Sequence, residues 1–260
     1  MPSGFFVPAG SGKTPFPSPS PRSSVESPQR LAIEMPSSTV ENYLKAIWSL
    51  ETQESRDELV PIGQVAEKLS VAPGTATTMM NQLMKMELVS YIPRRGVSLN
   101  EAGRKAALRV LRRHRLVEAF LVEIMKLDWA EVHDDAEVLE HVISDRLLGR
   151  MDEMLGHPTH DPHGAPIPTP DGGMPDEGNA SLADCHPGDY TLKRVRENQP
   201  SFLQWLSGLG LMPGTALTLI ERNPDADTLT LALPNRMDPV QISLPAAQSL
   251  LVEALSRNTP

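Results

Sequence analysis

The fold is decided by the stretch PIGQVAEKLSVAPGTATTMMNQLMK, residues 61–85, and by the stretch LVSYIPRRGVSL, residues 88–99, which follows it. Pro61 opens a short amphipathic segment, a turn is expected at residues 71–74, and a second helix is predicted from about Thr75 to Met86. Two β-prone runs then flank the basic turn at residues 93–96, a pattern typical of a β-hairpin. The order helix, turn, helix and hairpin predicts a winged helix-turn-helix.

The second predicted helix presents small polar side chains on its outer face. In a helix-turn-helix this helix enters the major groove, where Thr, Asn and Gln can contact base edges. The two arginines at the hairpin tip would contact phosphates or the minor groove. The predicted DNA-contacting residues are Pro73, Thr75, Thr77, Thr78, Asn81, Gln82, Arg94 and Arg95. A Thr-rich surface helix beside a solvated arginine pair is the alternative interpretation, and the order of the elements favours DNA binding.

Outside this stretch the sequence predicts three more helices and then a small β domain. One helix is expected at residues 38–52, with Ser38 or Thr39 as its cap. A long helix should run from an Asn100 cap to about residue 126, and another from about residue 134 towards residue 155. The short β-prone runs that predict the β domain are Tyr190–Val195, Ala216–Glu221, Thr228–Leu233 and Val240–Leu244.

The charge of the chain is unevenly distributed. The 260 residues carry a net charge of −9, which by itself argues against a nucleic-acid partner. However, residues 127–186 hold two basic and fourteen acidic side chains, whereas residues 36–126 hold thirteen basic and ten acidic ones. The predicted DNA-binding segment is therefore mildly basic, and the acidity belongs to the segment that follows it.

Other features of the composition exclude several classes of protein. A single cysteine, Cys185, excludes an intrachain disulfide framework and a cysteine-based zinc finger. The sequence has no apolar run of the ~18 residues that a membrane span needs, and its N-terminus lacks the order of a secretory signal. We therefore expect a cytoplasmic protein with no membrane partner.

Histidine and glutamate cluster in the acidic segment and in the long helix before it. His114 and Glu118 share one helix face, His133 follows a turn, and a third group lies on the next helix at spacings of three and four. That third group consists of Glu137, Glu140 and His141. Imidazole and carboxylate together suit Mn(II), Fe(II), Co(II) or Zn(II). By contrast, we expect His157, His160 and His163 to be loop residues, because they lie in a Pro-rich stretch.

Two other functions remain open at this point. A carboxylate–histidine cluster also suits a dinuclear metal hydrolase, although the sequence contains no nucleophile motif and a hydrolase would leave the winged helix unexplained. A regulator that senses a small organic ligand, with a purely structural His–Glu cluster, is the second alternative. We expect a protein that is not an enzyme.

Three motifs resemble one family. The stretches RHRLVE at 113–118, VHDDAE at 132–137 and LEHVISD at 139–145 resemble the diphtheria-toxin-repressor family of metal-dependent transcriptional repressors. The stretch DPHGAPIP at 161–168 is similar to the linker of that family, and LGLMPG at 209–214 is similar to its SH3-like domain. The resemblance spans about residues 38–255.

The resemblance implies two metal positions. His114, Glu118 and His133 match one, and Glu137, Glu140 and His141 match the second. Manganese-sensing members tend to have Glu where iron-sensing members have Cys, and Glu137 stands at that position. The resemblance therefore implies Mn(II), with Fe(II) as the alternative.

The first helix departs from the family pattern. Asn42 and Lys45 stand where the family has metal ligands. Asn42 can offer a carbonyl oxygen, whereas a charged Lys45 cannot bind a metal. One ligand of the second position would therefore come from Glu41, come from water, or be absent. The β domain sometimes donates ligands as well, for which Glu197 or Gln199 are candidates.

The expected protein is a Mn(II)- or Fe(II)-activated repressor of metal-uptake genes. It would bind an inverted-repeat operator in double-stranded DNA as a homodimer, with Val138, Val142 and Leu147 on the dimer face. The expected fold is mainly α with a small β domain. The expected segments are a disordered Pro/Ser-rich tail (1–36), a winged helix-turn-helix DNA-binding domain (37–107), a helical metal-binding and dimerisation domain (108–156), a linker (157–187) and an SH3-like β domain (188–260).

Overall fold

The computed structural model describes residues 37–53, 59–175 and 178–255, so the predicted tail at 1–36 lies outside the described residues. The N-terminal half contains α1 (Ser38–Gln53), α2 (Ile62–Lys68), α3 (Pro73–Lys85), β1 (Val89–Ile92), β2 (Gly96–Leu99), α4 (Glu101–Glu123), α5 (Val132–Leu139) and α6 (Asp145–Met154). The C-terminal part contains β3 (Ala180–Ser181), a short 3₁₀ turn (Leu182–Asp184), β4 (Gly188–Val195), α7 (Pro200–Leu209), β5 (Ala216–Asn223), β6 (Thr228–Ala232), β7 (Val240–Ser243), α8 (Leu244–Gln248) and β8 (Leu250–Ala254). Within the described ranges, none of the helices combines the length and the hydropathy that a membrane-spanning segment requires.

The winged helix-turn-helix is confirmed. Helices α2 and α3 are followed by the antiparallel pair β1 and β2, in which Val89 faces Leu99 and Ile92 faces Gly96. The two helices, the hairpin and α1 share one hydrophobic core, built on fully buried residues such as Leu44, Met80 and Leu83. Burial of apolar side chains in such a shared core supplies most of the free energy that holds short helices in place.

Two local expectations were wrong. Helix α3 begins at Pro73, so residues 73 and 74 belong to its first turn and not to the preceding turn. Pro is well suited to this position because the first helical N–H has no partner within the helix. Helix α1 is capped by Ser37, whose Oγ accepts from the Val40 N–H at 3.4 Å, and not by Ser38 or Thr39.

Helix α4 forms the centre of the molecule. The Asn100 side chain caps it as predicted and accepts from the Gly103 N–H at 2.9 Å. A side chain at Gly103 would collide with the Leu88 carbonyl, which shows how closely the hairpin approaches the start of α4. Further along, residues 113–119 are all buried, because α1, α5, α6 and residues 161–168 pack around them.

The helix predicted from residue 134 towards residue 155 is two helices, α5 and α6. Ser144 begins the second one, since its Oγ accepts from the Leu147 N–H at 3.3 Å. A Ser followed by Asp is a strong helix N-terminus signal, and it interrupts the apolar periodicity that suggested one helix.

The predicted small β domain is also confirmed. Its six strands pair antiparallel in the order β3-β8-β4-β5-β6-β7. The sequence did not predict β3, β8, α7 and α8. Trp129 and Ala130, from the loop between α4 and α5, are buried in the core of this domain. The loop that leads into α5 is therefore held by the β domain.

Part of the predicted linker is packed and not free. Asp161, His163, Ala165 and Ile167 are buried, and the Val195 N–H of β4 donates to the His163 carbonyl at 2.8 Å. Arg112 of α4 donates to the Pro168 carbonyl at 2.7 Å. These contacts therefore hold residues 161–168 in a defined path along α4.

Candidate metal centre and nucleic-acid interface

Three of the predicted residues bring donor atoms into one small triangle. Helix α4 places His114 and Glu118 one turn apart, and they face His133 of α5. His114 Nε2 lies 2.9 Å from Glu118 Oε1 and 3.2 Å from His133 Nδ1, and the third edge, from His133 Nδ1 to Glu118 Oε1, is 3.2 Å. Ligand atoms at right angles around an ion with bonds of about 2.1 Å lie about 3 Å apart. This triad therefore fits a divalent metal ion.

Burial and opposite charges shift the pKa values of His114 and Glu118. Burial alone would lower the pKa of His114, but the carboxylates of Glu118 and Glu140 raise it to about 9. Burial alone would raise the pKa of Glu118, but the facing imidazoles, His114 above all, hold it well below its usual range. A metal ion at the triad would consequently compete with a proton on His114.

Glu140 contacts the nitrogen of His114 that faces away from the triad. It is completely buried at the end of α5, and its Oε2 lies 2.6 Å from His114 Nδ1. Its other oxygen, Oε1, accepts from Lys45 Nζ at 2.6 Å. Both oxygens of this carboxylate are therefore engaged, one by the imidazole and one by the ammonium.

Lys45 of α1 contacts a second predicted ligand as well. Its Nζ donates to Glu137 Oε1 at 2.7 Å. Burial alone would raise the pKa of Glu137, but Lys45 and then the two imidazoles lower it. Glu137 Oε1 also lies 3.6 Å from His133 Nε2 and 3.8 Å from His114 Nδ1. The sequence identified Lys45 as a departure from the family pattern but gave no indication of these ion pairs.

The other predicted ligands lie on the α1 side of the cluster. His141 Nδ1 lies 2.6 Å from Glu41 Oε2, and the Glu41 side chain is buried. The buried His141 Nε2 and the buried Asn42 Oδ1 have no hydrogen-bond partner among the described residues. Among the described His, Cys, Asp and Glu side chains, His141 does not belong to the groups whose ligand atoms come close enough together to share an ion, whereas His114, Glu118, His133, Glu137 and Glu140 do.

The sequence reasoning missed two residues of the packed linker. His163 lies in a loop as expected, but its side chain is buried, and its Nε2–H donates to the Trp129 carbonyl at 2.9 Å. Its Nδ1 is 3.7 Å from Glu118 Oε2, and ligand atoms of Glu118, Asp161 and His163 form a compact group. The similarity of residues 161–168 to the family linker was the one signal that could have directed attention there.

The β domain reaches the triad through Asn198. Its side-chain Nδ2 lies 3.0 Å from His133 Nε2. Glu197, one of the two candidates in this segment, uses its Oε1 to accept from the backbone N–H groups of Asn198 and Gln199. The segment that reaches the triad is therefore the predicted one, but the contact is made by Asn198 and not by Glu197 or Gln199.

The residues predicted to contact DNA lie on helix α3 and at the tip of the hairpin, and most of them are exposed. Thr77 is half-buried, and the other predicted residues on α3 are exposed, namely Pro73, Thr75, Thr78, Asn81 and Gln82. Arg94 and Arg95 are exposed at the hairpin tip, where Arg94 adopts a positive φ of 66°. Helix α3 and the hairpin tip thus present polar and cationic groups to solvent, as an interface with DNA requires.

Three protein-family models match the chain. The model described as "Iron dependent repressor, N-terminal DNA binding domain" matches residues 35–97. The model "Iron dependent repressor, metal binding and dimerisation domain" matches residues 100–169, and "FeoA domain" matches residues 180–254.

Individual relatives agree with these matches. The diphtheria toxin repressor of Corynebacterium efficiens is 32% identical over 194 residues, which cover 70% of this chain and 83% of that protein. The iron-dependent repressor IdeR of Mycobacterium tuberculosis is 29% identical over 210 residues, 75% of this chain and 89% of that protein.

Solved structures are similar as well. One is a manganese-dependent transcriptional repressor in complex with manganese, at 37% identity and a TM-score of 0.76, with coverage of 83% of this chain and 100% of that chain. Another is ScaR with bound Zn²⁺, at 31% identity and a TM-score of 0.69, with coverage of 83% and 99%.

Proposed function

This chain belongs to the diphtheria-toxin-repressor family of metal-dependent transcriptional repressors, and from that membership we propose that Mn(II) is the ion held by His114, Glu118 and His133. The observation that carries the proposal is the triangle of donor atoms with edges of 2.9–3.2 Å. The donor set of two imidazoles and one carboxylate lacks a soft thiolate ligand, which suits Mn(II) and Fe(II). Fe(II) is the alternative ion.

The remaining predicted ligands have supporting positions in this proposal. Glu140 holds the Nδ1 proton of His114 and so fixes the orientation of the ring, as carboxylates behind a ligating imidazole do. Glu137 contacts Lys45, and His141 contacts Glu41, so that both tie α5 and the residues after it to α1. Asn42 lies on α1 one turn before Lys45.

In this proposal, metal binding controls the affinity for DNA through the side chains that connect α1, α4 and α5. When bound, a divalent ion supplies positive charge that offsets the buried carboxylate and links α4 to α5. To hold the ion, His114 would release its Nε2 proton to solvent and would keep its Nδ1 proton, which it donates to Glu140 Oε2. Because α1 packs on α4 and on α2, order at the triad is transmitted to the position of α3.

DNA is recognised by a dimer in this proposal. Helix α3 reads base edges through its exposed polar face, and the wing arginines contact phosphate. The dimer face includes Val138, Val142 and Leu147, which are 67%, 74% and 51% exposed. A two-fold dimer places two α3 helices on an inverted repeat. The proposed output is repression of genes for metal uptake.

A selection experiment tests this function. Duplexes that bind the full chain are selected from a randomised DNA pool, once with Mn(II), once anaerobically with Fe(II), and once with a chelator. We expect an inverted repeat to be enriched with Mn(II) and not with the chelator. Equal enrichment in the chelator would contradict metal activation, and stronger enrichment with Fe(II) would replace Mn(II) by Fe(II).

Calorimetry distinguishes the proposed metal-dependent repressor from a regulator that senses a small organic ligand. The chain is titrated with Mn(II), Fe(II), Co(II) and Zn(II) in turn. Heat with a stoichiometric end point is expected. If none of these ions produces heat, the His–Glu cluster is structural and a regulator that senses an organic ligand becomes the better account.

A further inference from the structure

We propose that Lys45 is a built-in cation that takes the place of a second divalent ion beside Glu137 and Glu140, so that each protomer binds a single metal ion. This inference rests on the proposed function, in which the triad of His114, Glu118 and His133 holds that ion. It concerns the other position, for which the family resemblance implies a second set of ligands.

The contacts of Lys45 are those expected of a cation at that position. Its Nζ lies 2.7 Å from Glu137 Oε1 and 2.6 Å from Glu140 Oε1, so one ammonium bridges the two carboxylates. The Glu140 side chain is fully buried and the Lys45 side chain is only 16% exposed. A buried carboxylate requires a compensating charge, and here the chain itself supplies it.

Two other donor atoms of the second position are already paired within the described part of the chain, although His141 Nε2 and Asn42 Oδ1 are not. His141 Nδ1 is paired with Glu41 Oε2 at 2.6 Å, and Glu140 Oε2 is paired with His114 Nδ1 at 2.6 Å. A divalent ion at this position would have to displace the Lys45 ammonium from both of its acceptors. It would also lie close to a positive charge that α1 keeps nearby, which is unfavourable in a partly desolvated site.

As a consequence, the protein itself supplies the positive charge at the second position, and a metal ion supplies it only at the triad. Lys45 is separated in sequence from Glu137 and Glu140 by 92 and 95 residues, so its ion pairs join the first helix to α5. This connection does not require a second ion. The metal requirement of the chain is therefore confined to the triad that links α4 and α5.

Counting bound ions tests the inference. The full chain is loaded with excess Mn(II), desalted, and its tightly bound manganese is measured by mass spectrometry against protein concentration. Lys45→Glu supplies a carboxylate in place of the ammonium, and Lys45→Gln removes the charge with a milder change. Lys105→Gln is the control, because Lys105 is exposed on α4 and pairs only one turn away with Glu101.

We expect one ion per protomer in the wild type and in Lys105→Gln, and two in Lys45→Glu. Two ions in the wild type would overturn the inference, and so would a single ion in a folded Lys45→Glu. If that variant does not fold, Lys45→Gln takes its place with the same two outcomes, and the wild-type count still decides. No bound ion in the wild type would overturn the proposed function itself, which makes the two failures distinguishable.

Discussion

His114 Nδ1 lies 2.6 Å from Glu140 Oε2, and this contact joins the middle of α4 to the residue that follows α5. The opposite nitrogen of the same ring faces Glu118 and His133. One imidazole thus connects a candidate metal triad on one side to a buried carboxylate on the other. The contact determines which nitrogen of His114 remains available for a metal ion.

The first prediction concerns that contact. Glu140→Gln keeps the shape of the side chain but removes the charge that holds the His114 ring. We expect the affinity for Mn(II) to fall by about 10- to 100-fold, the range typical of a carboxylate behind a ligating histidine. Isothermal titration calorimetry measures the affinity, and Glu153→Gln, an exposed change on α6, is the control. Unchanged affinity in Glu140→Gln would show that the carboxylate does not orient the ring.

The second prediction is a proton linkage. Because the pKa of metal-free His114 is raised to about 9, its ring is protonated at pH 7, and metal binding at Nε2 must release that proton. The apparent Mn(II) affinity should therefore rise by up to about tenfold per pH unit between pH 7 and pH 9, and then level off. Anaerobic titrations in buffers of different ionisation enthalpy measure the released proton. An affinity that is constant over this range contradicts a His114 ligand.

The same shift predicts how stability varies with pH in the metal-free protein. The folded-state pKa of His114 lies above its ordinary value of 6.5. The stabilisation from the charged ring is therefore complete below about pH 6.5 and is lost as the pH rises towards 9. Thermal melts of the metal-free protein should show a decline over this window that is smaller in His114→Gln. An equal decline in both proteins would assign it to other groups.

The third prediction distinguishes the two kinds of DNA-binding residue. Arg94→Ala and Arg95→Ala should weaken binding to all duplexes alike and reduce the salt dependence, by a slope of about 0.9 for each phosphate that is no longer neutralised. Gln82→Ala should instead cost about 1–3 kcal/mol at one base pair and relax the preference there. Fluorescence anisotropy over a salt series measures both effects. A base-specific loss of affinity in the arginine variants would reverse the assigned roles.

The fourth prediction locates the dimer. Val142 is 74% exposed although it is apolar, and it lies within the segment that matches the metal-binding and dimerisation model. Val142→Asp should shift the chain towards monomer in sedimentation velocity runs, since a charge at an apolar interface must be desolvated. Met237→Asp is the control, because Met237 is fully exposed in the β domain. A dimer that is as stable in Val142→Asp as in the control would place the interface elsewhere.

Local signals accounted for most of the fold. The Asn100 cap, the pair of helices in the winged helix-turn-helix and the hairpin around Gly96 each depend on residues close in sequence, and they could be predicted, although the turn between the helices was expected two residues too late. Apolar periodicity suggested one helix and gave no indication of the break between α5 and α6, where Ser144 caps the second helix. Helix α7 and strand β8 were not predicted, because no signal that separates their residues from the neighbouring loops was recognised in the sequence.

The candidate site was predictable in its ligand types but not in its partners. Helical spacing placed His114 and Glu118 on one face, and the family resemblance grouped His133 with them. The pairs that Lys45 forms with Glu137 and Glu140 join residues more than ninety positions apart, and periodicity carries no information about such contacts. The burial of His163 likewise depends on how the stretch at 161–168 packs against α4. The composition of that stretch is typical of a free linker and does not reveal this packing.

The central claim is that an ion at the triad controls the affinity for DNA. The most direct measurement is fluorescence anisotropy of the selected inverted-repeat duplex with wild type, His114→Ala and the exposed control His186→Ala, each with and without Mn(II). Wild type and control should gain at least about tenfold in affinity with Mn(II), which corresponds to about 1.4 kcal/mol of coupling, while His114→Ala gains nothing. Equal binding by wild type and His114→Ala, independent of metal, would contradict the account.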